Sequence, residues 1–366
     1  AESKRNDEVE VEAFISAQSN MECSDINEFA IRNAARLLGR MHDFERSMKN
    51  DYSLGDSFAN PELVRYPEVI TYKRGQVSLL LDEAKKRKRR RTRGGNQAFI
   101  HANRFLFNKV SYIMTQAPME NTIADFLCMV WQQEATVIVC FDQDAQAPYF
   151  SMETKQTMKS DFGKVRTIGR RKSPKVKQVE LFELLLTPKS LPKGAKDKER
   201  LVTLIFVRKF PWEKPYKPSI VKSVVEAVHQ VETELTNIDG GAVVVHGLSG
   251  TRRTSCFVLA CVFAQQIKKD RQIALISTVD AIRATRYRSM RQRGMFALLL
   301  DVLLHFVAET GEIQPGTDEF REIERVIAAS KERHRKVMGS VSAESSSTMS
   351  TADTSTISTK SEEKVR

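Results

Sequence analysis

Residues 243 to 257 read VVVHGLSGTRRTSCF: three valines, a loop of small residues and arginines, and an apolar stretch. The pattern predicts a buried strand (Ala242 to Val245), a short loop and a helix that begins near Thr254. Such a turn gathers backbone N–H groups and the positive end of a helix around one concavity, which binds oxyanions. Arg253 stands at the junction, where its guanidinium can hold two phosphate oxygens. An ordinary surface turn also needs small residues, so the stretch alone leaves both interpretations open.

The composition of the whole chain limits its class. With 366 residues, 41% of them hydrophobic, the chain can form one large domain or two ordinary ones. Its net charge of +12 is concentrated, since KKRKRRRTR holds eight basic residues in nine and without it the balance is 12 − 8 = +4. These eight are Lys85, Lys86, Arg87, Lys88, Arg89, Arg90, Arg91 and Arg93. The run predicts an exposed surface loop rather than a chain that is basic throughout.

Periodicity divides the chain into four regions. Residues 1–58 have apolar positions at helical spacing and predict an N-terminal helical extension. Residues 59–245 alternate β-branched runs such as EVITY and ATVIVCF with turns, and predict a long, mostly antiparallel sheet interrupted by the helix-like MENTIADFLCMVWQQ. From Ser219 through the stretch DEFREIERVIAASKERHRK (318–336), the pattern predicts a largely helical chain. Residues 337–366 are rich in Ser and Thr and predict a disordered tail.

Cysteine spacing and hydropathy exclude several classes of protein. The five cysteines are scattered without CxxC or Cys/His spacing, which argues against a disulfide framework or a zinc site and favours a reducing compartment. No apolar run approaches the roughly 18 residues of a membrane helix, and the charged start AESKRNDEVEVEAF differs from a signal peptide. We therefore expect a cytoplasmic protein, with the nucleus or the membrane periphery as alternatives because of the basic run.

The loop from His246 to Thr254 resembles the H-C-x-x-G-x-x-R-S/T phosphate loop of the receptor and non-receptor protein-tyrosine phosphatases. Four further stretches resemble that family in the same order: VRYPEV (64–69), FIHAN (99–103), YIMTQAPMENTIADFLCMVW (112–131) and, more loosely, MRQRGMFALLLDV (290–302). The resemblance implies an α+β fold, in which a highly twisted mixed β-sheet is flanked by α-helices. It places a single domain at residues 59–336, with the basic loop as an insertion at 85–95.

The resemblance also implies that catalytic groups are missing. Gly247 stands where the family has its nucleophilic cysteine, and Lys214 where the W-P-D loop has its general-acid aspartate. The glutamine that orients water corresponds to Ala297, or to Leu298 if the register slips by one. Glycine has no side chain to attack phosphorus, and lysine, with an unperturbed pKa near roughly 10.4, is a poor acid for a leaving phenolate. Cys256, beyond the loop, is expected to pack in the core.

The residues that bind phosphate in the family are largely retained. The predicted binding residues are Tyr66, His246, Gly247, Leu248, Ser249, Gly250, Thr251, Arg252, Arg253 and Thr254. Tyr66 matches the tyrosine that stacks on the phosphotyrosine ring, and His246 matches a histidine that supports the loop by hydrogen bonding. Arg252 replaces a small residue and Ser255 a glycine, so a strained or collapsed pocket is the alternative to an open one.

These features predict a pseudophosphatase that binds tyrosine-phosphorylated proteins or kinase segments as a scaffold, trap or competitor in signalling. The rim residues Arg252, Lys214 and Lys217 suit an acidic peptide. One alternative is a low-activity tyrosine phosphatase that uses water or Glu213. Another is a structural scaffold whose basic loop contacts anionic lipid, nucleic acid or import machinery, with the basic stretch 169–177 extending the field if the fold brings the two together. No cofactor or metal is implied.

Overall fold

The computed structural model describes residues 24–25 and most of residues 56–336. Within the second range, the residues not described are 81–96, 142–148, 191–197, 209, 211–215, 237–240, 312, 319, 326, 330 and 333–334. The basic run from Lys85 to Arg93, Lys214, the predicted tail and most of the predicted N-terminal extension therefore lie outside the described residues. Of that extension, Ser24–Asp25 form a short strand, β1, where the pattern predicts helix.

The described residues form eleven strands and five continuous α-helices. The strands are β1, β2 (Gln76–Leu80), β3 (Gln97–Phe107), β4 (Val110–Gln116), β5 (Ala135–Cys140), β6 (Thr157–Lys159), β7 (Gly163–Lys172), β8 (Val179–Pro188), β9 (Arg200–Val207), β10 (Gly241–Gly247) and β11 (Gln272–Ile273). The helices are α1 (Ile123–Gln132), α2 (Pro218–Thr236), α3 (Arg252–Gln265), α4 (Leu275–Thr285) and α5 (Arg293–Thr310). The described residues between 318 and 336 are helical as well, as their pattern predicts.

Nine of the strands form one sheet in the order β2-β3-β4-β10-β5-β9-β8-β7-β6. Its centre, β4-β10-β5-β9, is parallel. The strands on both sides of this centre pair antiparallel. The mixed sheet implied by the family resemblance is confirmed, whereas the mostly antiparallel sheet predicted from strand patterns is wrong for the centre. The reason is that α1 and α2 act as crossovers, each returning the chain so that the next strand runs in the same direction.

Two hydrophobic cores lie on opposite faces of the sheet. Successive residues of a strand point to opposite faces, so β10 sends Val243 and Val245 into one core and Val244 into the other. The first core includes residues of α2, α3 and α5, and the second includes residues of α1. Because both faces of β10 are covered, its sequence is a continuous apolar run rather than an alternating one.

The stretch EVITY (68–72), predicted as a strand, forms a turn and an extended segment, with an isolated bridge at Tyr72. Side chains of β3 bind its backbone carbonyls in place of a neighbouring strand. His101 Nε2 lies 2.7 Å from Val69 O, and Asn103 Nδ2 donates to Tyr72 O at 3.0 Å. The prediction of a strand is therefore wrong here, because distant side chains satisfy backbone groups that a strand would pair.

Candidate functional site

Strand β10 ends at Gly247, and α3 begins at Arg252, earlier than the predicted start at Thr254. In the sheet, β10 lies between β4 and β5 and is parallel to both, with Gly247 opposite Gln116. The carboxyl ends of parallel strands meet at the edge where open α/β sheets bind ligands. The chain after β4 is tied to the loop there, because Ala117 N donates to Gly247 O at 2.8 Å. The structure thus places the predicted phosphate loop at a ligand-binding edge.

Gly247 is not required by the shape of the backbone. It is absent from the glycines with positive φ, and an added Cβ would lie 3.6 Å from Phe141 Cβ and 3.8 Å from Arg253 Nε. These are ordinary van der Waals distances, so a Cβ atom fits at this position without displacing its neighbours. Packing around position 247 therefore does not by itself require glycine.

Gly250, in contrast, is required by the backbone. Its φ is +66°, in the left-handed region that glycine favours. An added Cβ would lie 2.1 Å from Thr115 O and 2.6 Å from Gln116 N, which are both backbone atoms. The loop therefore packs directly on the end of β4 at this point, and a residue other than glycine at position 250 must displace the backbone of β4.

Arg253 is buried beneath the loop at the start of α3, with 7% of its surface exposed. Its Nη1 donates to Phe141 O and, at 3.4 Å, to Phe210 O. Phe141 follows β5 and Phe210 follows β9, so the hydrogen bonds of the guanidinium link the chain at the carboxyl ends of these two strands. The structure places Arg253 beside Gly247, as the resemblance implies, while its bidentate grip on a phosphate stays a prediction.

His246 is buried behind the loop, and its hydrogen bond runs to a residue that the sequence reasoning missed. Its Nε2 lies 2.8 Å from Tyr149 Oη, and the ring of Phe126 packs edge-on at 5.4 Å. Burial, together with the charges of Arg253 and Arg65, lowers the pKa of His246 to about 3. The imidazole is therefore neutral at physiological pH. No short motif contains Tyr149, because it lies 97 residues away along the chain.

Arg286 donates hydrogen bonds to the loop, and the sequence pattern assigned it no role. It is fully buried just after α4, and its guanidinium bonds the loop and β3 together. Its contacts are Nε to Gly250 O at 3.0 Å, Nη2 to Ser249 O at 3.2 Å, Nη1 to Asn103 Oδ1 at 2.9 Å and Nη2 to His101 Nδ1 at 3.0 Å. Burial lowers the pKa of Arg286 to about 9, which leaves it charged at neutral pH.

The structure brings Tyr66 and Arg252 together at the loop. Arg252 is half-buried, and its electrostatic neighbours are Tyr66, Glu68, Arg288 and Arg291. Burial and then the charge of Arg288 lower the pKa of Arg252 below its ordinary value. Two arginines from the turn between α4 and α5 thus add positive charge beside the predicted phosphate loop, which favours an anion.

The loop residues that differ from the family pattern, Arg252 and Ser255, lie on unstrained backbone. Ser249 Oγ lies 3.0 Å from Thr251 Oγ1, and Leu248 is partly exposed. Ser255 lies within α3, where its hydroxyl donates to Thr251 O, and neither it nor Arg252 has a positive φ. Position 255 therefore does not need glycine for its φ angle.

Thr254 is buried in the first turn of α3. Its Oγ1 has no hydrogen-bond partner among the described residues. A buried hydroxyl in this state has a free donor close to the loop.

The two other positions at which the resemblance implies missing catalytic groups differ in where they lie. Lys214 is outside the described residues. Ala297 and Leu298 have no exposed surface and belong to the core beneath α5. A side chain at either position faces packed apolar groups. The correspondence of Ala297 with the water-orienting glutamine stays a prediction from the resemblance.

Cys256 is a core residue, as expected. It is buried, its Sγ donates to Met295 O at 3.5 Å, and burial raises its pKa to about 12. A thiol with so high a pKa is protonated at physiological pH and unreactive. It therefore does not substitute for a nucleophile at position 247.

Known proteins resemble the part of the chain that contains this loop. The family model described as Protein-tyrosine phosphatase matches residues 60–305, more than half of the chain. The chain is 27% identical over 209 residues to the rat (Rattus norvegicus) "Tyrosine-protein phosphatase non-receptor type 7", covering 57% of this chain and 54% of the relative. It is 26% identical over 271 residues to the chicken (Gallus gallus) "Receptor-type tyrosine-protein phosphatase S", covering 72% of this chain and 16% of the relative.

The match has a limited extent. The chain spans about half the length of its non-receptor relatives and a small part of the receptor-type ones. Within the described part of the chain, no helix is long and apolar enough to cross a membrane. The matched region includes the sheet, the loop 246–254 and α1 to α4. This chain therefore belongs to the protein-tyrosine phosphatase family.

Proposed function

We propose that the chain is a catalytically inactive phosphatase-like protein that binds phosphotyrosine-containing partners at the loop 246–254. The observation that carries the proposal is the difference between two glycines. Gly250 is required by the backbone, whereas Gly247 has room for a side chain and lacks one. A loop whose shape depends on glycine at one position, and whose nucleophile is absent from another, retains binding without chemistry.

The chemistry that is lost is attack on phosphorus. In a phosphatase of this type a thiolate forms a covalent intermediate, and the thiolate is stabilised by loop amides and a helix N-terminus. Here those stabilising groups surround a glycine, and Cys256 is a protonated core thiol. Lys214 in place of a carboxylic acid would further slow departure of a phenolate.

Three features support retention of binding. The N-terminus of α3, a helix from Arg252 to Gln265, directs backbone N–H groups and its dipole toward the loop. The Arg253 guanidinium lies beside Gly247, and Arg288 and Arg291 add positive charge near Arg252. The absence of a thiolate also removes a negative charge that would repel a phosphate dianion. Together they favour a trap or competitor for phosphorylated partners in signalling.

One observation favours a second candidate, a structural scaffold that does not use the loop. Arg253 Nη1 already donates to the carbonyls of Phe141 and Phe210. The guanidinium therefore has protein partners without phosphate, and its burial is explained by packing alone. In that case the loop would be a retained piece of architecture, and partners would bind elsewhere.

Calorimetric titration with a phosphotyrosine peptide and its unphosphorylated form separates these functions. We expect binding of the phosphorylated peptide alone, no phosphate release, and at least a tenfold loss of affinity in Arg253→Lys, which keeps the charge but not the planar fork. Lys222→Gln, an exposed change on α2, is the matched control. No binding by the folded wild-type protein would sink the proposal and favour the scaffold. Phosphate release that disappears in Arg253→Lys would instead indicate a residual phosphatase.

A further inference from the structure

The outer part of the sheet extends beyond the helices that cover its centre. Near the end of α2, Glu234 Oε2 accepts a hydrogen bond from Thr203 Oγ1 on β9 at 2.9 Å. The preceding residue on the same face of β9, Leu201, is 52% exposed. Its partner Leu185 on β8 is partly exposed. The helical layer therefore ends near Thr203 and leaves this face open.

Apolar side chains lie at the centre of the open face. Leu201 and Ile168, which is 41% exposed on β7, are two of four exposed large hydrophobic side chains among the described residues. Ile168 continues the exposed positions of β7, after Lys164 and Arg166. Leu185 pairs with Leu201 on one side and with Arg166 on the other, so it connects the strands. A group of exposed apolar residues on one face indicates a contact surface.

Three cations border these apolar side chains. Lys159 on β6 lies directly opposite Lys164, and Arg166 lies opposite Thr157. All three are exposed, and none of them forms an ion pair within the described part of the chain. Like charges directly opposite each other destabilise a sheet. The opposed Lys159 and Lys164 depart from the usual pairing of residues across strands without a compensating contact among the described residues, and such departures are typical of functional surfaces.

The neighbouring acidic groups leave the patch positive. Glu183 on β8 faces the same side as Leu185 and contributes one negative charge. Asp161 is paired with Lys189 at 3.1 Å. Glu199 accepts a hydrogen bond from Thr187 Oγ1 at 2.9 Å and keeps its negative charge, so Glu183 and Glu199 offset two of the three cations and leave a net charge of 3 − 2 = +1. We define the outer patch as Lys159, Lys164, Arg166, Ile168, Leu185 and Leu201.

We propose that the outer patch docks onto an anionic lipid surface. Cations near such a surface contribute about 1 kcal/mol each, and aliphatic side chains among them enter the boundary between headgroups and acyl chains. Nucleic acid is a poorer match. The patch contains no aromatic ring for base stacking, and its aliphatic side chains add nothing to phosphate contacts.

The position of the patch makes this contact compatible with a partner at the loop. Leu201 lies at the amino end of β9, whereas the loop follows the carboxyl end of β10. Both strands are parallel to β5, so the two sites lie toward opposite ends of the sheet. A chain docked through the patch therefore directs the loop 246–254 away from the lipid surface. Docking through the outer patch does not require phosphotyrosine binding at the loop.

Flotation of the full chain with vesicles tests the proposal. The vesicles contain phosphatidylcholine alone, or phosphatidylcholine with about one third phosphatidylserine. We expect binding that requires phosphatidylserine and weakens with added salt. Lys164→Gln with Arg166→Gln should weaken it about 25-fold, the equivalent of about 1 kcal/mol for each cation. Ile168→Ser with Leu201→Ser should also weaken vesicle binding, although the net charge is unchanged. Lys222→Gln with Arg321→Gln, two changes at exposed positions elsewhere, should weaken vesicle binding only by the small, salt-screened effect of the lower net charge.

Three results would overturn the proposal. The first is equal binding by the patch variants and the control variant. The second is binding lost only when the basic run from Lys85 to Arg93 is replaced by glutamine. The third is dependence on Lys164 and Arg166 without dependence on Ile168 and Leu201, which is the behaviour of a general polyanion site. The midpoint temperature of thermal unfolding is the control for loss of the fold in each variant. Lys164→Gln should not lower this temperature, because it removes the repulsion between Lys164 and Lys159.

Discussion

Arg253 Nε lies 3.8 Å from the point where a Cβ would stand on Gly247. A side chain at position 247 would therefore stand beside a guanidinium and close to the N-terminus of α3. These are the surroundings that lower the pKa of a cysteine thiol. The surroundings of Gly247 would therefore favour an anionic side chain at this position.

The substitution Gly247→Cys should create a reactive thiol. We expect its pKa to fall below the ordinary value of roughly 8.5, so that iodoacetamide alkylates it rapidly near pH 6. Cys256, whose pKa is raised to about 12, should remain unmodified in the folded protein. Alkylation at position 247 no faster than that of the partly exposed Cys128 would mean that the loop does not stabilise an anion.

The same variant should remain a poor phosphatase. The resemblance predicts that Lys214 stands where the family has its general-acid aspartate, so turnover of phosphotyrosine should stay about 10² to 10⁴ below that of an enzyme with a general acid. Aryl phosphates whose leaving group needs no proton should react measurably in a phosphate-release assay. Gly247→Ala is the matched control and should release none, and equal rates in the two variants would contradict a restored nucleophile.

The two glycines with positive φ at positions 250 and 316 allow a matched stability test. Gly250→Ala should cost about 3 kcal/mol or more, since strain at φ +66° is combined with collision against Thr115 O. Gly316 has φ +90° and open space around it, so Gly316→Ala should cost about 1 kcal/mol from strain alone. Urea unfolding measures both, and similar losses would show that the loop does not pack on β4 as described.

Replacement of Arg286 should weaken the loop without any contact to a ligand. Arg286→Met leaves His101, Asn103 and two loop carbonyls without their donor, which should destabilise the fold by about 3 kcal/mol in urea unfolding. Arg321→Met, at an exposed ion pair, should change stability by less than about 0.5 kcal/mol. If the two changes have equal effects, the buried network is not a source of stability.

His246 should make the protein sensitive to acid. Its folded-state pKa of about 3 lies below its ordinary value of 6.5, so between these pH values the unfolded chain binds a proton that the folded chain does not. Stability is therefore lost as pH falls below 6.5, and His246 contributes about 1.4 kcal/mol per pH unit to that slope. Urea unfolding from pH 6 to 4 should give a slope smaller by this amount in His246→Gln, with buried His101 unchanged as internal reference. An unchanged slope would place a charged imidazole in the core.

Much of the candidate site follows from local sequence. The continuous apolar run before His246 predicts a strand covered on both faces, and the small residues after it predict a turn into a helix. Both are found, with α3 starting at Arg252. The absence of a nucleophile at Gly247 is likewise a fact of the sequence, because no fold can add a functional group to glycine.

Other features depend on residues that are far apart along the chain. Tyr149 bonds His246 across 97 residues, and Arg286 bonds Asn103 across 183. The outer patch exists because β6 to β9 place single residues side by side. Such contacts have no local pattern, since each partner is an ordinary residue in its own segment.

The strand, loop and helix of the site, and the glycine at position 247, follow from the amino-acid sequence alone, since each depends on neighbouring residues. The parallel centre of the sheet and the position of Ala297 in the core emerge only from the folded structure. It also decided that Gly250 is indispensable while Gly247 is not. The physical reason is that burial, direction of pairing and steric room are properties of what distant segments place around a residue.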